Sequence, residues 1–537
     1  MTQHNKLCII QGDPTYFTEI TMASPSEKLA ESLEALRKLQ ERGIIAIQAS
    51  DLSRTHRERL LKNGFLQEVM KGWYIPSRQD ESAGESTAWY ASFWNFCSAY
   101  LNKRFGDEWC LSPEQSLSLH AGSWTVPQQL FIRSPKGRNK VTPLPHKTSL
   151  FDARYPMPET KEIEIVNGMR AFSLISALIS CSPRFFTQNL TDARTALSLI
   201  RDASEVLGLL LAGGHSTIAG RLAGAFRNIG RDRIADEIIK TMSSAGYDVR
   251  ETDPFDAIPT ISLLSRERSP YVNRARIMWQ EMREVVLAHF PQPPGRPTNP
   301  NAYLKRVEET YVTDAYHSLS IEGYRVSQDL IQRVKSRTWN PGNSENDREH
   351  VAALAARGYW QAFKEVEKSL RKVLKGINPG KVFDEDHREW YREMFAPCVT
   401  AGIVKPADLA GYRRGQVYIR RSMHVPPNPD AVRDLMPAFC DLLSDEKEAA
   451  VRVVLGHFFF VYIHPYMDGN GRIGRFLMNV MLAAGGYPWI VVPVEQRSKY
   501  MAALEEASVR QNIMPFSKFL ADLVTDRLKG KELPQIK

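Results

Sequence analysis

No stretch of this sequence approaches the run of about 18 apolar residues that a membrane-spanning helix needs, so no membrane span is expected. Cysteine is scarce and scattered. Cys8, Cys97, Cys110, Cys181, Cys398 and Cys440 form no CxxC pair, which argues against a disulfide framework and against a structural zinc site. That usage fits a reducing, cytoplasmic setting. The opening residues, Met1-Thr2-Gln3-His4-Asn5-Lys6, lead into only a few apolar side chains, too few for a signal peptide. No internal repeat is evident, and residues 1 to 23 carry no pattern that assigns an element. Charge is not extreme either. A net +9 and a pI near 9.1 permit an anionic partner such as ATP, nucleic acid or an acidic protein without requiring one. What remains is ordinary in bulk: 537 residues, 43% apolar, enough for two or more domains with normal cores.

Against that background one stretch stands out: His464-Pro465-Tyr466-Met467-Asp468-Gly469-Asn470-Gly471-Arg472-Ile473-Gly474-Arg475. An apolar run rich in phenylalanine, Val453 to Ile463, precedes it. Pro465 disfavours the α conformation at His464, so the upstream helix is predicted to stop there. The residues after Arg475 predict a helix ending at Gly485-Gly486, with Pro488 beyond. Between the two, glycines alternate with Asp and Asn. Glycine lets backbone N–H groups turn toward a ligand, and such a nest at a helix N-terminus is an anion site. Arg472 and Arg475, three residues apart, share one face of the following helix. A polar turn between two core helices would also use Asp-Gly and Asn-Gly. It would not need a histidine, a carboxylate, a phosphate nest and two guanidinium groups within twelve positions.

This stretch resembles the signature of Fic-domain proteins, HPFx[DE]GNGRxxR, with Tyr466 in place of the usual phenylalanine. The resemblance extends to Gly411-Tyr412-Arg413, Val417-Tyr418-Ile419, Val425-Pro426-Pro427 and Leu435-Met436, which look like the family's flap and its exit into a helix. It also takes in Tyr487-Pro488, Glu495-x-Arg497-x-x-Tyr500 and Pro515-Phe516. It implies a helical domain over 301–537 with a small β-hairpin flap, and transfer of AMP from ATP to a Ser, Thr or Tyr hydroxyl of a protein target or of the chain itself. His464 would then be the general base and Asp468 the Mg²⁺ ligand. Gly469, Asn470, Gly471, Arg472 and Arg475 would hold the phosphates, and Tyr418, Ile419, Arg420 and Arg421 would align the target segment.

A second stretch, Ser318-Leu319-Ser320-Ile321-Glu322-Gly323, follows a predicted helix over Tyr303 to Tyr316. By itself it reads as a helix end capped by Gly323. In Fic proteins a segment [ST]xxxE[GN] ahead of the catalytic motif is a built-in inhibitor, and Ser318, Glu322 and Gly323 match it. The resemblance thus implies that Glu322 pairs with Arg475 and displaces the terminal phosphate of ATP.

The N-terminal part reads as α+β. A helix is predicted from Pro25, with Leu29, Leu33, Leu36 and Leu39 at helical spacing. A basic helix over Arg54 to Lys62 follows, then two strand-like runs about Leu66 to Val69 and Gly72 to Pro76. That order resembles a winged helix-turn-helix at 1–80 and, more distantly, antitoxin-like regulators of the abortive-infection (AbiEi-like) type. Arg54, Arg57, Arg59 and Lys62 are the candidate DNA contacts, and a protein-contacting module is an equal reading. Residues 81–289 read as mixed, then helical, with a basic loop at Ser134 to Lys140 and small residues from Ala219 to Ile229 suited to close helix packing. The proline-rich stretch 290–300 is the expected linker and main boundary. A DNA-binding regulator with a Fic switch, an AMP-removing enzyme and a Fic enzyme using another phosphate donor stand as alternatives. A homo-oligomer is compatible with all of them.

Overall fold

The computed structural model describes residues 24–79, 85–255, 269–336 and 347–536. Cys8 lies outside them. The chain divides into two compact units, Met1–Ala88 and Trp89–Lys537. No helix among the described residues is long and apolar enough to cross a membrane.

In the first unit the helix Pro25–Glu41 starts at Ser24, whose hydroxyl caps the N–H of Glu27 while the Glu27 carboxylate accepts from the Ser24 N–H. This reciprocal capping satisfies two otherwise orphaned donors. Three short strands follow in the sheet order β1 (Ile47–Gln48), β3 (Trp73–Pro76), β2 (Leu66–Met70), all antiparallel. The helix Arg54–Lys62 lies between β1 and β2 in sequence. Leu36, Leu39, Ile47, Leu60 and Leu66 make a small core of their own.

The second unit opens within the helix Thr87–Phe105, and a four-stranded sheet follows in the order β4 (Cys110–Leu111), β5 (Gln129–Ser134), β7 (Ser149–Arg154), β6 (Lys140–Pro143). β5 and β7 run parallel and the other pairs antiparallel. A hairpin of β8 (Ile163–Val166) and β9 (Met169–Phe172) turns at Asn167-Gly168, both left-handed, as a two-residue hairpin loop requires. Among the described residues from Leu174 onward every regular element is helical, apart from short 3-10 turns. The small residues expected to allow close packing do so in the helix Ser216–Asn228. A methyl group on Gly220 or Gly224 would collide with the backbone of Arg250 or Thr252.

Two features differ from the sequence-based expectation. The helix Pro270–His289 precedes the proline-rich stretch, yet Val272, Met278, Trp279 and Val286 belong to the same core as the helices after residue 300. Those side chains stitch the two sides of 290–300 together, and the chain divides instead after Ala88. Residues 411–428, expected to form a β-hairpin, have no strand. Pro426 and Pro427 lack N–H donors for a ladder. The buried Arg413 guanidinium takes up carbonyls that strand pairing would otherwise use. The mostly helical class of the chain is as expected.

Candidate active site

The site forms where two largely buried helices, Ala449–Ile463 and Asn470–Gly485, meet at a sharp loop. His464 caps the first with φ 53° and ψ 59°, a left-handed conformation that costs a non-glycine residue energy. Arg413 holds it there. Its Nε donates to the His464 carbonyl at 2.8 Å and its backbone N–H to the Pro465 carbonyl at 2.9 Å, while its other guanidinium nitrogens reach the carbonyls of Gly415 and Pro427. One buried cation thus ties the loop to both ends of the 414–427 segment. Burial holds the Arg413 pKa down to about 10, which still leaves it charged at neutral pH.

The His464 ring has one nitrogen committed. Nδ1 lies 3.1 Å from the Val461 carbonyl, which can only accept, so Nδ1 carries the hydrogen and Nε2 keeps its lone pair. Burial lowers the pKa to about 4, against the pull of the Val461 carbonyl and with help from the Arg413 charge. At neutral pH the imidazole is a neutral acceptor.

The loop itself is locked by Asn470. Its amide accepts from the Tyr466 N–H at 2.9 Å and donates to the Tyr466 carbonyl at 2.8 Å. The side chain is therefore committed to loop shape, leaving the N-terminal N–H groups of the helix as the anion nest. Gly469 sits at φ 81°, and a Cβ there would lie 2.7 Å from the Phe395 ring, so only glycine fits. The Asp468 side chain is 63% exposed at the loop mouth, with one oxygen on the Gly469 N–H and the other 3.2 Å from Arg472. Arg472 is buried between the rings of Tyr324 and Phe395, and its Nε has no protein partner. A buried guanidinium with an open donor beside a helix N-terminus is suited to phosphate.

Tyr466 packs inward, fully buried and stacked on Tyr391 with ring centroids 3.8 Å apart. Its hydroxyl finds no partner. An unsatisfied buried hydroxyl costs about 1–3 kcal/mol. Tyr466→Phe is therefore expected to raise unfolding free energy by about 1 kcal/mol in urea titration. A loss of stability would show that the hydroxyl is in fact bonded, for example to an ordered water.

The second sequence motif arrives at Arg475. The helix Pro300–Ile321 runs farther than its periodicity suggests and ends because Gly323 turns at φ 93°. That places Ser318 on the last turn and Glu322 at the cap. Arg475 Nε donates to Ser318 Oγ at 2.8 Å, and its Nη2 donates to the Ser318 carbonyl at 3.0 Å and to Glu322 Oε1 at 2.6 Å. The Glu322 carboxylate is 29% exposed and the Arg475 side chain 5%. Burial alone would raise the Glu322 pKa, but the charges of Arg475, Arg472 and Arg497 overcome it and hold it below the ordinary value. A Cβ on Gly471 would lie 2.5 Å from Glu322 Oε1, so the carboxylate rests against the nest itself.

In the 411–428 segment Tyr418 is 37% exposed, Ile419 is half-buried, and Arg420 and Arg421 are exposed. A residue that sequence reasoning passed over fixes the end of this segment. Glu505 accepts from the Ser422 hydroxyl and, at 2.9 Å, from the Met423 N–H. Nothing local in the sequence marks Glu505, which sits within an ordinary helix, Arg497–Arg510. The four basic residues of the first unit do not form one outward face. Arg54 is exposed and pairs with Glu58 at 2.7 Å, and Lys62 is exposed. Arg57 donates to the Ala49 carbonyl at 2.8 Å, and Arg59 to Ser32 Oγ at 2.9 Å and to the Lys28 carbonyl. Those two guanidinium groups brace their own fold.

No group of three or more His, Cys, Asp or Glu side chains among the described residues could hold a metal ion. Mg²⁺ commonly takes one or two carboxylates and fills the rest of its shell with phosphate oxygens and water. Asp468, an open carboxylate beside the nest, fits that pattern.

The Fic/DOC family model matches residues 384–482. The protein adenylyltransferase Fic of Drosophila willistoni is 33% identical over 228 residues, 41% of this chain and 42% of that protein. That of Drosophila melanogaster is 32% identical over the same length, with the same coverage of both chains. Among solved structures, Fic-1 from C. elegans aligns with 61% of this chain and 91% of its own at 22% identity and a TM-score of 0.35. The family match places a Fic domain at residues 384–482, the stretch that carries the His464 loop and most of its two flanking helices. It spans about two-fifths of the length of the curated relatives it matches.

Proposed function

We propose that the chain transfers AMP from ATP to a hydroxyl side chain of a protein, or of itself, and that Glu322 restrains the reaction. The observation that carries the reading is the neutral His464 Nε2 at the head of a phosphate nest whose arginine is held by a glutamate from another helix. In the reaction the target hydroxyl oxygen bonds to the α-phosphorus. The bond from that phosphorus to the α–β bridging oxygen breaks, and pyrophosphate leaves. The hydroxyl proton passes to His464 Nε2. The helix N-terminal N–H groups at 470–472 and the Arg472 guanidinium stabilise charge on the phosphates, and Arg475 holds the terminal one. Mg²⁺, held by Asp468, would supply charge neutralisation between phosphates. The 411–428 segment offers Tyr418 to Arg421 to an incoming polypeptide.

With Glu322 on Arg475, the terminal phosphate loses its cation. ATP then binds with the α-phosphorus out of line with the attacking hydroxyl. The test is incubation with radiolabelled ATP, GTP, CTP and UTP, one at a time with Mg²⁺, followed by detection of labelled protein. α-Labelled ATP is expected to mark protein and γ-labelled ATP is not. Label from another nucleotide alone would redirect the reading to a different donor. Release of AMP from pre-modified protein with no forward transfer would redirect it to removal.

A further inference from the structure

Asp314, Ser318 and Glu322 stand four residues apart at the end of the helix Pro300–Ile321 and so share one face of it. Ser318 and Glu322 both meet Arg475. Asp314 reaches no cation: it forms no ion pair among the described residues. It is 4% exposed, and its Oδ2 accepts from the Tyr359 hydroxyl at 2.7 Å. Burial pushes its pKa up to about 6, against the pull of Tyr359, Trp489 and the Arg475 charge. At neutral pH it is therefore an anion. A buried, unpaired anion is costly to the fold, and an apolar side chain of similar volume would be more stable there.

Tyr359 connects Asp314 to the site. It lies on the helix Asp347–Leu374, fully buried, with its ring centroid 4.8 Å from that of Phe476, the residue after Arg475. Phe363 packs at 6.4 Å from Phe476 and 5.6 Å from Trp489, so the ring is walled in. Burial raises the Tyr359 pKa most and the Asp314 charge adds to it, while a hydrogen bond from Ser318 works against both. That is the sign of a donor to the phenol oxygen. A carboxylate only accepts, which fixes the direction of every bond behind it. Arg475 Nε–H donates to the Ser318 hydroxyl, Ser318 to Tyr359, and Tyr359 to Asp314. The Arg475 nitrogen outside these bonds, Nη1, faces the nest: a Cβ on Gly471 would lie 3.2 Å from it.

We infer that Asp314 is a positioning residue for the nucleotide: through Tyr359 and Ser318 it holds Arg475 aimed at the phosphate nest, ready for the terminal phosphate of a nucleoside triphosphate. This role rests on the proposed function, in which Arg475 grips that phosphate. One helix thus carries both the support of the cation, at Asp314 and Ser318, and its competitor, at Glu322. Bonds in such a chain polarise one another. Without the anion at its end, the Ser318 hydroxyl is free to turn its hydrogen elsewhere, and Arg475 Nε loses a fixed acceptor. A nucleoside monophosphate has no terminal phosphate for Arg475, so its binding to the nest does not depend on Asp314.

The test uses the full chain carrying Glu322→Gly and His464→Ala, which frees Arg475 and stops turnover. Titration calorimetry with Mg²⁺ compares ATP with AMP. This parent is expected to bind ATP more tightly than AMP. Asp314→Ala and Tyr359→Phe are each expected to weaken ATP binding about tenfold and to leave AMP binding within about twofold of the parent. Because they break one chain, the two changes together should lose no more than either alone. Tyr359→Phe keeps the ring on Phe476 and carries the test if Asp314→Ala does not fold. A side chain that serves only the fold would lower the melting temperature and either spare both nucleotides or weaken both alike. Either result overturns the inference, as do losses that add in the double variant or a parent that binds ATP no better than AMP. Transfer by Glu322→Gly alone is measured separately. No labelled protein there, with ATP binding selectively lost in the Asp314 and Tyr359 variants, would overturn the proposed reaction and leave the role of Asp314 standing.

Discussion

Glu322→Gly is expected to raise AMP transfer, both to the chain itself and to a target, about ten- to a hundredfold. The figure follows from the contact to be broken. A hydrogen bond to a charged group contributes about 1.5–3 kcal/mol, and each 1.4 kcal/mol is about a factor of ten. Arg475 gives Glu322 one short bond at 2.6 Å and leans on Ser318 for two more. Removing the carboxylate therefore frees the cation without unseating it, because Ser318 still fixes its direction. The substitution is also mild for the fold. Residue 322 sits at the helix cap in the ordinary right-handed region, where glycine costs only a fraction of a kcal/mol. Nothing in the change adds a catalytic group, so the gain must vanish in Glu322→Gly combined with His464→Ala, and Arg475→Ala should blunt it. The measurement is transfer of labelled AMP from ATP with Mg²⁺ by the single and double variants, each checked by its melting curve. Equal transfer by wild type and Glu322→Gly would leave Glu322 as a helix-end ion pair and nothing more.

The loop was legible in the sequence because its constraints are local. Pro465 after His464 and the glycines among Asp468, Asn470 and Arg472 each restrict backbone geometry within a residue or two. Both flanking helices accordingly stop where the sequence says they should, at His464 and at Gly486. The contact between Glu322 and Arg475, 153 positions apart, came from the family resemblance and not from any pattern in either segment. What stayed hidden is long-range and side-chain-specific. Arg413 gathers carbonyls from His464, Gly415 and Pro427, and Glu505 takes the Ser422-Met423 end of the same segment. Neither residue differs locally from a surface charge. Their clamps also explain why residues 411–428 are a braced loop and not a hairpin. The helix Arg54–Lys62 taught the converse. Its basic composition is readable, but which guanidinium groups face inward depends on Ser32 and Ala49, which the helix sequence does not contain.

His464→Ala is expected to lower transfer by about 10²–10⁴-fold, the usual contribution of a positioned general base, and to do so in the Glu322→Gly background as well as in the wild type. ATP affinity should change little, because the phosphate nest is built by residues 469–472 and Arg475 and not by the imidazole. The pH profile separates a base from a structural histidine. Burial holds the His464 pKa down to about 4, so Nε2 stays unprotonated well below the ordinary histidine range. Transfer at saturating ATP should therefore persist through pH 6.5 and fall only as the medium approaches the lowered value. The same shift has a stability consequence of definite sign. An unfolded histidine protonates near 6.5, above the folded value, so the unfolded state binds more protons between the two. The stabilising share of His464 is complete above about pH 6.5 and is lost as pH falls toward about 4. His387, His424 and His457, each buried and likewise lowered to about 4 by burial, add to the same trend. Melting temperature should fall across that window in wild type, and slightly less steeply in His464→Ala. An acid limb of the rate that sat at the ordinary histidine value would show an imidazole open to water. Full activity in a well-folded His464→Ala variant would remove the histidine from the chemistry altogether.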